Sequence, residues 1–144
     1  MDSQKTHDIV EGWYNAMGQM DWGTVMDLLD DDVVFDLSPK PYTTMIPYIK
    51  LWTGKQAFMQ GAQIRNETSA ISGLELHNVI AQGNQAVAFI TSKATCIATN
   101  IYFELDIVQF VDLNDEGKIV KVTAIFDPVP EMHAFQPDFV SMEA

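Results

Sequence analysis

The feature that most constrains this fold is an unbroken run of strand-forming segments in the second half of the chain, from Leu74 to Asp127. Segments at roughly 74–82, 85–96, 100–113 and 118–127 are rich in β-branched and aromatic residues. Gly83-Asn84 is a tight hairpin connection, and Asn114-Asp115-Glu116-Gly117 is a longer turn ending on glycine. Helical periodicity comes first. Ile9, Trp13 and Met17 recur at fourfold spacing with Val10 and Tyr14 beside them, and Gly18 stands near the end of that helix. Asp21 can cap a second helix that buries Val25, Leu28 and Leu29, and Val33–Leu37 then reads as a short strand. Thr53-Gly54-Lys55-Gln56 matches a capping box and opens a third helix to about Asn66, with Phe58, Met59 and Ala62 inside. Helices followed by a meander predict an α+β fold, a strongly curved antiparallel sheet packed on three N-terminal helices. Such a shape encloses a pocket.

Residues 38–52 carry Pro39, Pro41 and Pro47 among large aromatics, which predicts a long apolar loop covering that pocket. The residues from 129 to 144 read as an irregular tail on a single domain with its core at about 5–128, with Met132, Phe135 and Phe139 available to dock it. A formal net charge of −12 argues against nucleic acid and anionic membranes as partners. The start lacks a basic region followed by an apolar run, no stretch is apolar for long enough to span a bilayer, and Cys96 has no second cysteine to pair with. These features point to a cytoplasmic protein.

The segment 100–113 assigns its faces by alternation. Ile101, Phe103, Leu105, Ile107 and Val111 form an apolar face interrupted by Gln109, and the period of two turns that face inward. The other face mixes Glu104, Asp106 and Asp112 with Tyr102, Val108 and Phe110. Its apolar members suit a sheet whose convex side pairs with a second copy, as a homodimer.

This order of elements, with the strings Asp31-Asp32-Val33-Val34-Phe35 and the final DEGKIVKVTAIFD (115–127), resembles the nuclear transport factor 2-like superfamily. Within it the chain resembles the SnoaL-like polyketide cyclases, ketosteroid isomerases, limonene epoxide hydrolases and scytalone dehydratase. The resemblance implies a cone-shaped, cystatin-like α+β roll with an apolar cavity, and dimerisation through the sheet. The tyrosine, aspartate base and protonated aspartate of ketosteroid isomerases fall on Trp13, Leu37 and Gln109. The Asp-Arg-Asp set of the epoxide hydrolases falls on Ile90, Ser92 and Ala124. One catalytic histidine of scytalone dehydratase falls on His77, and the second has no counterpart.

Three residues are therefore candidates for chemistry. His77 is an acid or base near neutral pH, or else a strand histidine that bonds a neighbour. Gln109 is a donor to a carbonyl or enolate oxygen, or a structural amide. Asp36 is a general base only if a bulge turns it inward, since alternation sets it opposite Phe35 and Leu37. Trp13, Tyr14, Met17, Phe35, Tyr42, Tyr48, Trp52 and Phe126 are candidates for the pocket wall, and the resemblance adds Leu37, Ile90 and Ser92. No spaced His or Cys cluster and no glycine-rich phosphate loop occurs, so neither a metal nor a cofactor is expected. The expected function is a cyclase, isomerase or dehydratase acting on a small hydrophobic polyketide-, terpene- or steroid-like molecule, by proton transfer or by orientation alone. The alternative is a non-catalytic binding or dimeric interaction module.

Overall fold

A computed structural model describes residues 1–37 and 45–138 of the chain. The first helix, α1 (Ser3–Gly18), is capped by the Asp2 side chain, which accepts from the Lys5 backbone N–H. Its expected apolar face is buried at Val10, Trp13 and Tyr14. Trp13 Nε1 donates to the Val25 carbonyl at 3.2 Å, which ties α1 to α2 (Trp22–Asp27). The cap of α2 is Asp21, as its position suggested, accepting from the Thr24 N–H. This helix stops at Asp27, so Leu29 opens β1 (Leu29–Leu37) instead of extending a helical stripe.

The chain continues through β2 (Leu51–Thr53), α3 (Lys55–Thr68), β3 (Ser69–Gln82), β4 (Gln85–Cys96), β5 (Ile101–Leu113), β6 (Ile119–Phe126) and α4 (Val129–Phe135). The six strands form one sheet in the order β2-β1-β6-β5-β4-β3. The α+β roll on N-terminal helices is as expected, but the sheet is mixed. β6 returns beside β1 in the same direction, after a crossover that includes α3 and three hairpin strands. All other neighbours are antiparallel. The register of β3 against β4 shifts twice, between Ile71 and Gly73 and between Leu76 and Asn78. Each shift bends the strand around the helices.

Three local expectations need correction. β2 lies inside the stretch expected to be loop. Leu51–Thr53 follows the last proline of that stretch and pairs with β1, Trp52 opposite Phe35. The capping box is absent because β2 holds Thr53. Gly54 is the N-cap of α3 at φ +95°, a left-handed conformation that suits glycine, and no side chain caps the helix. α3 also faces the core with Phe58, Gly61, Ala62 and Arg65, a single stripe at helical spacing, which leaves Met59 exposed. Gly61 permits this close approach, since a Cβ there would lie 3.0 Å from Trp52 Cε2.

The tail is not irregular over 129–135. Pro128 and Pro130 pre-set the first turn of α4. Phe135 then packs edge-on against Tyr48, with ring centroids 6.0 Å apart, and near Phe103 at 6.5 Å. Thr99 Oγ1 donates to the Ala134 carbonyl at 2.6 Å. Phe139 and Tyr42 lie outside the described residues, as do residues 38–44 of the expected covering loop.

Candidate functional site

The concave face of the sheet, α1, α3 and α4 line a cavity of about 190 Å³ that opens to solvent. A cavity of about 150 Å³ accommodates benzene, so this one suits a body of one to two rings. α1 supplies Trp13, Tyr14 and Met17, and β1 supplies Phe35 and Leu37. Tyr48, Ile49 and Trp52 come from the segment that ends in β2. From the sheet come Ile90 and Ser92 on β4, Leu105, Ile107 and Gln109 on β5, and Ala124 and Phe126 on β6. Trp13, Tyr14, Met17, Phe35, Leu37, Trp52, Ile90, Ser92 and Phe126 thus stand together in one wall with Gln109.

Two polar clusters break the apolar lining. In the first, the Tyr14 hydroxyl donates to Gln109 Oε1 at 2.5 Å. Burial pushes the Tyr14 phenol far above its usual range, so it stays protonated and serves as a donor. With its oxygen so engaged, Gln109 keeps its Nε2 hydrogens for another acceptor. The resemblance put the phenol position of α1 on Trp13. The phenol that meets Gln109 comes instead from Tyr14, one residue later, while the Trp13 indole turns to Val25.

The second cluster gathers Tyr48, Glu131, Arg65 and Ser92. The Tyr48 hydroxyl donates to Glu131 Oε2. Glu131 is only 2% exposed, and its Oε1 has no hydrogen-bond partner among the described residues. Burial raises the Glu131 carboxyl above its ordinary range, opposed by the Tyr48 hydrogen bond and the charge of Arg65. Tyr48 is raised in turn by burial and by the neighbouring Glu131. Arg65 Nη2 donates to Ser92 Oγ at 2.6 Å. Ser92 pairs with Leu105 and Ala88 with Gln109, so the two clusters lie four residues apart along the β4–β5 ladder, roughly 13 Å at about 3.3 Å per residue.

Two candidates fall outside the cavity. His77 is exposed on the convex face, at the second register shift of β3. Its Nε2 bonds Thr91 Oγ1 at 2.7 Å, and the Thr91 hydroxyl donates its one hydrogen to Asp106 Oδ1 at 2.7 Å. His77 is therefore the donor to Thr91, and its ring lies 5.0 Å from that of Phe89. It is the strand histidine that bonds a neighbour, because Leu76, opposite Ile90, takes the inward position. Asp36 is buried in β1 yet alternates with Phe35 and Leu37, both in the cavity wall, and no bulge there turns it inward.

Sequence patterns alone did not reveal Glu131, the role of Arg65 or the role of Tyr48 beyond wall-lining. Two signals were present. Arg65 is the single arginine of the chain. Pro128-Val129-Pro130-Glu131 is a helix-opening pattern with an acid in the first turn. Among the described residues no group of three His, Cys, Asp or Glu side chains is placed to hold a metal, and no helix is long and apolar enough to cross a membrane.

The model of the SnoaL-like domain family matches residues 10–122. The chain belongs to the SnoaL-like family. Among solved structures, it is similar to a nuclear transport factor 2-like protein of Burkholderia xenovorans, with a TM-score of 0.80 and 21% identity over 94% of this chain and 99% of that one. A candidate SnoaL-like polyketide cyclase of Mesorhizobium loti aligns with a TM-score of 0.69 and 19% identity over 82% and 96% of the two chains. An LEH-like epoxide hydrolase from M. tuberculosis aligns with a TM-score of 0.66 and 16% identity over 94% and 92%. At these identities the likeness is one of fold. No curated protein matches by sequence.

Proposed function

We propose that this SnoaL-like protein is a cofactor-independent enzyme that moves a proton on a small hydrophobic molecule bearing oxygen, as a cyclase, isomerase or dehydratase does. The observation that carries this reading is the free Oε1 of Glu131, a buried carboxyl oxygen in the wall of an apolar cavity. A buried acid whose pKa is raised holds its proton more tightly than an ordinary carboxyl, and its conjugate base takes one up more strongly. Tyr48, bonded to Oε2, and the nearby charge of Arg65 support the carboxylate after the proton has left. Gln109 Nε2 is free to hold a substrate oxygen at the other end. The cavity volume favours a small polyketide or monoterpene-sized body over a four-ring steroid. The acid–base role expected of His77 thus passes to Glu131.

Exposed Phe89, Tyr102 and Ile125 on the convex face support assembly as a homodimer through the sheet. A cytoplasmic location remains part of this proposal.

The test works with surrogate substrates. A panel of one- and two-ring ketones and keto acids is incubated with the protein in deuterium oxide, and exchange next to the carbonyl is followed by NMR. Glu131→Gln should slow catalysed exchange by at least about 10²-fold. Catalysed exchange that survives this substitution would remove Glu131 from the chemistry. Binding of panel members without exchange would favour the non-catalytic module.

A further inference from the structure

We infer that the end of the cavity at Arg65 and Ser92 is a carboxylate site, and that the ligand of this protein is a one- to two-ring apolar molecule carrying a carboxylate. This deepens the reading above and rests on the same cavity.

Three observations point the same way. Arg65 stands in the wall of the apolar cavity, on the inward stripe of α3, and it is the single arginine of the chain. Its guanidinium donates to Ser92 Oγ at 2.6 Å, so its plane is oriented by a hydroxyl of β4. That hydroxyl carries no charge. Among the described residues no carboxylate lies within ion-pair reach of Arg65. The nearest buried acid, Glu131, gives one oxygen to Tyr48 and leaves the other without a partner.

A guanidinium in an apolar wall is costly unless an anion meets it. It offers five donors in a fork that fits a carboxylate with two parallel bonds. Ser92 takes one of these five, which leaves enough for both oxygens of a carboxylate. The protein as a whole is acidic, with a net charge of −12, so a lone cation inside its cavity is not a sample of a basic surface. The apolar body then runs along Ile90, Leu105 and Ile107 toward Gln109.

The test compares naphthalene-2-carboxylate with naphthalene-2-carboxamide, which share shape and differ in charge. Titration calorimetry is run on the wild-type protein, on Arg65→Met, on Arg65→Lys and on Glu131→Gln. The carboxylate should bind at least about tenfold more tightly than the amide to the wild type, as expected of a charged hydrogen-bonded pair. Arg65→Met should abolish that preference while keeping the affinity for the amide, and Arg65→Lys should keep part of it. Equal affinities in the wild type, binding of neither probe, or a preference that persists in Arg65→Met would overturn the inference. The Glu131→Gln variant separates the two readings. If it keeps the preference and also keeps proton exchange, the carboxylate site stands and the role of Glu131 in catalysis falls.

Discussion

Two polar groups lie on opposite faces of β4, and the contrast between them supports placing the proposed chemistry at the inner one. On the convex face, His77 donates to Thr91 and Thr91 to Asp106, in contact with water. One residue further along β4, Ser92 faces the cavity and meets Arg65, near the Glu131 carboxyl and its unmet oxygen. The outer group is a closed chain in which each hydrogen has an acceptor, and solvent screens whatever charge it carries. The inner group is left incomplete in a place where an unmet polar atom costs about 1–3 kcal/mol. A fold keeps such an atom more readily when a ligand completes it. By residue type alone the histidine is the better candidate, and it is the surroundings that favour the carboxyl in the proposal.

The contrast can be broken most directly by removing the inner acid. Glu131→Gln keeps the shape of the side chain and should cost at least about 10²-fold in catalysed deuterium exchange, measured by NMR. Tyr48→Phe removes only the donor to Glu131 Oε2 and should cost about tenfold in the same assay, the low end of the worth of one hydrogen bond to a charged group.

A third prediction concerns stability. The folded state holds the Glu131 proton to a higher pH than the unfolded chain, whose value is near 4.5. The wild type therefore has its full stability from this group below 4.5 and loses it as pH rises through the raised folded value. Glu131→Gln has no such loss. Its Tm relative to the wild type, followed by calorimetry, should become steadily more favourable as pH increases from 4.5. A difference that is constant with pH would mean that the carboxyl is not desolvated. The smallest effect belongs to the outer group, where His77→Ala should change exchange by less than about twofold and stability by no more than about 0.5 kcal/mol.

The parts of this molecule legible in the sequence are those governed by short-range pattern. Alternation placed Phe103, Leu105, Ile107 and Gln109 inward and Glu104 and Asp106 outward, as found. Asp21 caps α2, and Gly83 and Gly117 take the positive φ their turns demand. The pocket wall was legible for the same reason, since large aromatics at helical or strand spacing have only one sheltered side. What failed depended on long-range geometry. The parallel pairing of β1 with β6 is set by how the whole chain returns, and no local signal carries it. His77 lies outside the cavity because a register shift in β3 decides its face, which no local pattern shows. Glu131 was missed because its significance comes from Tyr48, 83 residues away in sequence, and from the charge of Arg65 on α3. A carboxyl in an apparently loose tail becomes informative only once α4 closes the end of the roll.

The central claim is that one carboxyl is dry, neutral-leaning and turned into the cavity. The most direct measurement is a carbon-13 NMR titration of the glutamate side-chain carboxyls, with the Glu131 signal identified by its loss in Glu131→Gln. The expected midpoint for Glu131 lies above the ordinary value of 4.5 and moves further upward in Tyr48→Phe. A midpoint at or below 4.5, unmoved by loss of the Tyr48 hydroxyl, would contradict the claim.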